Sequence, residues 1–340
     1  MKNFRKLKKF SRNMIKTRWG ILAPGHIARG FVAGLKVLEG AELYAVASRS
    51  YEKASAFAEE FGFQKVYGSY AELADDPDVD VIYIATPHHL HFENTLMCIQ
   101  KGKAVLCEKP FTINSKQLEI LVRTARENKV FLMEAIWTRF LPGIRRTMEL
   151  IKEGQIGEIK MLNADFGFQA VYNPESRLYN PFLGGGSLLD IGIYPVFLSL
   201  LLLGYPKEIK AVAKKAPTGV DESVSISLSY ESGALASLHC TFTCYTKTDA
   251  NIYGDKGKIQ LKSQWFRPTG IILSRKDESP EELSFPAKAN GYEYEALEVM
   301  ECLEKGLTES ATLGLDFSLQ LMKLLDAIRE RCNIVYSDYD

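Results

Sequence analysis

The chain has 340 residues, 46% hydrophobic and 25% charged, with equal numbers of basic and acidic side chains. This composition excludes a disordered or fibrous protein and suits about two compact domains. The balanced charge argues against general nucleic-acid binding, and the longest apolar stretch, around 196–203, falls short of the roughly 20 residues a bilayer span needs, so no membrane partner is expected.

Lys2, Arg5, Lys6, Lys8, Lys9, Arg12, Lys16 and Arg18 crowd the start with no acid among them, leaving the remainder acidic overall. The arm lacks the apolar core of a secretory signal. An Arg-rich, acid-poor start also suits a transit peptide or a contact with an anionic surface, but residues 1–17 are read as a solvated basic extension. Cys98, Cys107, Cys240, Cys244, Cys302 and Cys332 lie in apolar segments without metal-finger spacing. They read as reduced, buried thiols, and a cytoplasmic location is expected.

Residues 18–23 read as a strand, followed by a tight turn and a helix to about residue 38. Further short strands at 43–47, 79–85, 103–107 and 130–133 are separated by helical stretches such as 52–61 and 93–101. Repeated βα units imply an α/β protein whose residues 18–138 form a doubly wound, Rossmann-type parallel sheet. In such sheets ligands bind outside the carboxyl ends of the strands.

The first such turn, Ala23-Pro24-Gly25-His26-Ile27-Ala28, resembles a dinucleotide fingerprint in which glycine lets the backbone approach a pyrophosphate at a helix N-terminus. Ala23 stands where the pattern has its first glycine. Ala23, Gly25, His26 and Ile27 are the candidate cradle. The second strand ends in Ser48-Arg49-Ser50 rather than in an acid. A guanidinium suits a ribose phosphate, so NADP is preferred over NAD, with Ser48 and Arg49 as ligands. Thr86-Pro87-His88-His89-Leu90-His91 holds three of the five histidines, with no Asp, Glu or Cys at ligand spacing, so no metal is expected. Thr86 and His88 are expected to line the nicotinamide ribose.

Glu108-Lys109-Pro110 follows the next strand and presents an ammonium to the crevice. Beyond residue 139 the pattern changes. A helix at 142–153 precedes strand-like alternation at 159–168, 208–213, 223–230, 234–242, 250–253, 258–261 and 271–274, with a hairpin turn at Glu231-Ser232-Gly233. Helices at 292–305 and 315–331 close the chain. Residues 139–340 are therefore read as an α+β substrate-binding domain with a large, mostly antiparallel open sheet, whose bare face would make a dimer or tetramer. Gly184-Gly185-Gly186 leads into a helix that carries Asp190 and Tyr194 one turn apart.

Glu108-Lys109-Pro110, Thr86-Pro87 with His91, and the segment 184–194 together resemble the Gfo/Idh/MocA oxidoreductase family, over about residues 18–331. Residues 104–110 and 132–140 are most similar to its dihydrodiol dehydrogenase branch. The resemblance implies Lys109 and Tyr194 as the catalytic pair, with Asp190 beside them, and Trp137 in the substrate site. It extends the cofactor set to Pro87, His91, Glu108, Lys109, Trp137 and Arg139. Tyr194 agrees with the dihydrodiol branch, whereas many family members carry histidine there.

The expected reaction is hydride transfer between NADP, or NAD, and a small alcohol or carbonyl substrate: a diol, sugar or dicarbonyl. Tyr194 would act as acid or base with its pKa lowered by Lys109, and Asp190 would orient one of them or a substrate hydroxyl. Which of Lys109 and Tyr194 moves the proton is open. Phe168, with Trp137 and Asp190, is assigned to the substrate, and Phe140, Phe166 and Tyr172 are further aromatic candidates. An NAD-dependent sugar or inositol dehydrogenase is the nearest rival; a nicotinamide-assisted glycosidase or a non-catalytic NADP-binding regulator stand further off.

Overall fold

Short apolar runs with helices between them leave a strand no exposed face, and the first half of the chain builds on that constraint. The structure, a computed structural model, describes residues 16–340. Most of the basic extension lies outside the described residues. β1 (Thr17–Leu22), α1 (His26–Leu35), β2 (Ala41–Ala47), α2 (Tyr51–Phe61), β3 (Lys65–Tyr67), α3 (Tyr70–Asp75), β4 (Val81–Ile84), α4 (His91–Gln100), β5 (Ala104–Glu108), α5 (Ser115–Asn128) and β6 (Leu132–Ala135) alternate in order. Their strands pair in parallel as β3-β2-β1-β4-β5-β6. Strand order reverses between β1 and β4, and the ligand crevice of such a sheet opens there.

Every residue of β4 and β5 is buried. Ser50, Ser69 and Asn114 cap α2, α3 and α5 by accepting a first-turn N–H. α1 instead starts from Gly25 without a capping side chain, and its first turn carries no acid. Its leading N–H groups therefore suit an anion.

The second half comprises α6 (Pro142–Lys152), β7 (Ile159–Gly167), a π-helical turn (Leu188–Gly192), α7 (Ile193–Leu203), β8 (Glu208–Lys215), β9 (Asp221–Ser229), β10 (Leu235–Thr241), β11 (Ala250–Gly254), β12 (Gly257–Leu261), β13 (Gly270–Arg275), β14 (Glu281–Ser284), α8 (Tyr292–Glu304) and α9 (Leu315–Arg331). The eight strands run β14-β13-β12-β11-β7-β10-β9-β8 and are antiparallel except for β7 beside β10. In β9, Val224, Ile226 and Leu228 point into the core while Ser225 and Ser227 face out. α7 and α9 cover the inner face. Met161, Val212 and Leu235 remain exposed on the strands.

Three expectations need correction. The helical stretch Pro181–Leu203, 23 residues, is long and apolar enough to cross a bilayer, but 83% of its most apolar window is buried inside the protein, so its apolarity serves the core. Cys244 is exposed, unlike the other cysteines. The pattern also misses β3 and β14, short sheet-edge strands with little buried surface to impose alternation.

α8 returns to the first half and packs on α1. A Cβ at Gly34 would sit 2.9 Å from the Glu293 backbone nitrogen, so only glycine allows this approach. α8 thereby ties the second half to the first.

Candidate active site

Lys109 leaves the end of β5 just before a cis peptide bond to Pro110. Its Nζ donates to the Asp190 carbonyl oxygen at 2.5 Å and lies 3.4 Å from Asp190 Oδ1. Arg177 Nη1 donates to the same Oδ1 at 2.9 Å, and His88 Nε2 stands 3.8 Å from it. Burial alone would raise the Asp190 carboxyl, but the charges of Lys109 and Arg177 outweigh it and hold the group below the ordinary carboxylate range. The carboxylate is thus ionised and clamped. Burial brings His88 down to about 3, so its ring is neutral and forms no ion pair with Asp190. His88 Nδ1 meets the Gly184 carbonyl at 3.1 Å and ties the β4 loop to the glycine-rich segment.

Asp190 sits in the π-helical turn rather than in a regular α-helix, and Tyr194 lies just after it in α7. Both residues nevertheless meet Lys109, whose Nζ is 5.1 Å from the centroid of the Tyr194 ring. The Tyr194 hydroxyl accepts a hydrogen bond from Trp137 Nε1 at 3.1 Å. Phe166 and Phe266 stack on each other at 4.3 Å between centroids and flank Tyr194 at 5.6 and 5.5 Å. The expectation that Lys109 lowers the Tyr194 pKa is not met. Burial, joined by the negative charges of Glu108 and Asp190, pushes the phenol well above its ordinary value, against the Trp137 hydrogen bond. The buried phenol is an acid that keeps its proton at neutral pH.

On the cofactor side, Ala23 adopts φ +70°, the left-handed turn normally left to glycine. Gly25 and His26 are exposed beside it, with Ile27 half-buried, and the space where a Gly25 side chain would lie is open. Ser48 Oγ accepts the Ser50 N–H at 3.2 Å, and Arg49 is exposed at the α2 N-terminus. Thr86 Oγ1 is buried without a partner among the described residues, and Pro87 is exposed next to it. An uncapped helix start, an open glycine and an orphaned hydroxyl fit a dinucleotide lying across these strand ends.

Other assigned residues point elsewhere. His91 is fully buried; its Nδ1 lies 2.6 Å from the Pro110 carbonyl and its Nε2 2.8 Å from that of Thr86, so it staples the two loops rather than facing a ligand. Two carbonyls favour a protonated ring, but burial dominates and brings its pKa down to about 4. The Glu108 carboxyl is also buried, bonded by the Tyr83 hydroxyl and by the Lys109 N–H at 3.2 Å. Arg139 has Arg145 and Glu298 as its charged neighbours, away from the Lys109 cluster. Phe168, two residues past Phe166, packs on Phe242 at 5.3 Å, and Phe140 is wholly in the core.

Arg177 and Phe266 were not foreseen. Each lies in an irregular loop whose contacts depend on distant residues. Trp265 Nε1 donates to the Asp165 carbonyl at 2.7 Å and Thr138 Oγ1 to the Phe266 carbonyl at 2.6 Å, which fixes the Phe266 loop.

A Rossmann half whose strand ends face a clamped lysine and a buried tyrosine defines an oxidoreductase with a nucleotide cofactor. Residues 17–136 match the model of an oxidoreductase family with an NAD-binding Rossmann fold, and residues 144–260 match the GFO/IDH/MocA C-terminal domain. The chain belongs to the Gfo/Idh/MocA oxidoreductase family. It is 40% identical over 333 residues to the trans-1,2-dihydrobenzene-1,2-diol dehydrogenase of Mus musculus, covering 94% of this chain and 98% of that one. The enzyme of the same name from Xenopus tropicalis is 39% identical over 330 residues, covering 94% and 99%. Among solved structures, a 3-ketoreductase from Actinomadura kijaniata in complex with NADP and TDP-benzene superposes with a TM-score of 0.83 at 29% identity, over 93% of this chain and 98% of that one. The fold is also that of a levoglucosan dehydrogenase complexed with NADH and L-sorbose, TM-score 0.86 at 20% identity, over 94% and 97%.

Proposed function

We propose that the protein is an NADP-dependent oxidoreductase that interconverts a small alcohol and its carbonyl, with diols and dicarbonyls as the preferred class. The observation that carries this reading is the convergence of Lys109, Asp190 and Tyr194, with Lys109 Nζ 2.5 Å from the Asp190 carbonyl and 5.1 Å from the Tyr194 ring centroid. A nicotinamide dinucleotide held along Gly25, Arg49 and Thr86 would supply the hydride chemistry. Lys109 binds the reacting oxygen with an N–H not spent on Asp190. The neutral phenol of Tyr194 gives its proton to that oxygen during reduction, and the phenolate left behind is the base for the reverse reaction. Trp137 holds the phenol in place, and Asp190 holds Lys109.

Arg49, beside Ser48 and Ser50 at the end of β2, supports NADP, because a guanidinium pairs with a ribose phosphate. The aromatic wall of Phe166, Phe266 and Trp137 supports a flat carbon ring over a fully hydroxylated one. The outer face of the second sheet, with Ser225 and Ser227 on β9 and exposed Met161 and Leu235, supports assembly of like subunits.

Following nicotinamide absorbance with NADP and NAD against aromatic dihydrodiols, dicarbonyls and polyols tests the reading. The expected outcome is turnover of diols and dicarbonyls with NADP, lost in Lys109→Met and Tyr194→Phe. Full turnover in both variants, or none by the wild type on the panel, would overturn it.

A further inference from the structure

Two cations from distant parts of the chain end on one oxygen atom. Lys109 Nζ is 3.4 Å and Arg177 Nη1 2.9 Å from Asp190 Oδ1. The two donors are therefore no further apart than those distances laid end to end. Donors so spaced, each reaching about 2.9 Å to an acceptor, can serve two oxygens carried on adjacent carbons.

The two donors differ in depth. The Lys109 side chain is 14% exposed, whereas that of Arg177 is 57% exposed. The backbone behind Arg177 is nevertheless anchored. Gly186 N–H donates to the Leu178 carbonyl at 2.9 Å and Gly185 N–H to the Asn180 carbonyl at 3.0 Å. A Cβ at Gly185 would sit 2.8 to 3.0 Å from the carbonyl oxygens of Arg177, Leu178 and Asn180, so the glycine lets this loop lie flat against the turn that carries Asp190. Arg177 spends one nitrogen on Asp190, and the rest of its donor fork remains for a ligand.

We propose that Arg177 determines specificity by binding the second oxygen of a substrate with oxygens on adjacent carbons: a vicinal diol, an α-hydroxycarbonyl or a 1,2-dicarbonyl. This rests on the hydride-transfer reading and adds the geometry that selects the substrate. The inner oxygen sits at Lys109 and the outer one at Arg177. In reduction the carbon of the inner oxygen takes up the hydride and that oxygen takes the proton of the Tyr194 hydroxyl, leaving a phenolate that regains a proton from solvent; oxidation is the reverse and starts from that phenolate. The outer oxygen makes and breaks no covalent bond; its hydrogen bond to Arg177 fixes which carbon reacts.

The test compares matched substrates on the wild type, Arg177→Met and Arg177→Lys: trans-1,2-cyclohexanediol against cyclohexanol, and 1,2-cyclohexanedione against cyclohexanone. The readout is the ratio of kcat/KM for the vicinal over the monofunctional partner, in which any common loss cancels. The wild type should favour the vicinal partner. In Arg177→Met the ratio should fall roughly ten- to hundred-fold, mainly through KM, as expected when one charge-assisted hydrogen bond is removed. Arg177→Lys should restore part of it. An arginine that merely balances the Asp190 charge would leave the ratio unchanged, and that result overturns this assignment alone. A wild type inactive on every member overturns the hydride-transfer reading and this assignment with it.

Discussion

Lys109 lies over the face of Tyr194, its Nζ 5.1 Å from the ring centroid, while the Tyr194 hydroxyl is bonded by Trp137 Nε1 at 3.1 Å. An ammonium over a phenol ring binds the ring's negative face and does little to draw off the hydroxyl proton. The indole is the group that orients the Tyr194 O–H. Trp137 stacks on Tyr292 at 4.4 Å, with planes 13° apart, so its own position is set by α8.

Trp137→Phe keeps most of the aromatic surface and deletes the donor to Tyr194. Loss of one hydrogen bond costs about 1–2 kcal/mol, so kcat should fall by roughly tenfold. Cofactor affinity, measured by fluorescence titration, should change little. An unchanged kcat would show that the indole N–H does not position the phenol.

Ala23→Gly should stabilise the protein. A left-handed alanine costs roughly 1–2 kcal/mol, partly offset by the entropy glycine returns to the unfolded chain. The net gain expected is about 0.5–1 kcal/mol, visible as a higher Tm. A lower Tm would mean that the methyl group makes contacts that outweigh the strain.

The sequence made the Rossmann half legible because buried parallel strands are continuous apolar runs, and Val81–Ile84 and Ala104–Glu108 carry their pattern without help from neighbours. Lys109, Asp190 and Tyr194 could be read because each lies in a compact motif. His91 could not be placed correctly, since a histidine facing two carbonyls has the same one-dimensional signature as one facing a ligand. Arg177 and Phe266 lie in loops whose positions come from Gly185 and Asp165, partners that no local periodicity reveals. The Tyr194 pKa was misjudged for a related reason: burial, which outweighs the neighbouring ammonium, is a property of the packed molecule.

From about pH 6.5 downward, two buried histidines should withdraw stability from the fold while buried carboxyls return it. Burial lowers the pKa of His88 to about 3 and of His91 to about 4 from an ordinary 6.5. Below 6.5 the unfolded chain takes up both protons and the folded chain does not, so unfolding binds protons and stability falls as pH falls toward those values. Asp190, held below its ordinary 3.8, adds a further loss below that pH by the same sign. Burial raises the carboxyls of Glu134 to about 7 and Asp221 to about 6, so the folded chain takes up protons there over the same range and the histidine loss is offset. The histidine share is read by comparing urea midpoints of wild type and variant at pH 7 and 5. His91→Gln should make the change from pH 7 to pH 5 more favourable to folding than in the wild type, and an identical change would remove His91 from the account.

Arg49→Gln should separate the two cofactors. A guanidinium on a phosphate contributes about 1.5–3 kcal/mol, so the Kd for NADP should rise by roughly ten- to hundred-fold while that for NAD stays within about twofold. Equal weakening of both would mean that Arg49 supports the β2 loop instead of reading the phosphate.

Asp221 gives the last prediction, because it fixes the turn that carries Asp190 from the far side. It is fully buried on β9, where its Oδ2 accepts Ser187 Oγ at 2.7 Å and the Leu188 N–H at 2.6 Å. A Cβ at Gly186 would sit 2.4 Å from Asp221 Oδ1, so carboxylate and glycine occupy each other's space. Asp221→Ala strands two buried donors and opens a void, which should cost about 2–4 kcal/mol in chemical denaturation. In the folded fraction, kcat should fall while NADP affinity is retained, since the Rossmann half holds the nucleotide and β9 holds only the Asp190 turn. Asp221→Asn, which keeps an acceptor for Leu188, should recover most of the stability and part of kcat. A variant equally stable and active as the wild type would show that the turn is held by Lys109 and Arg177 alone.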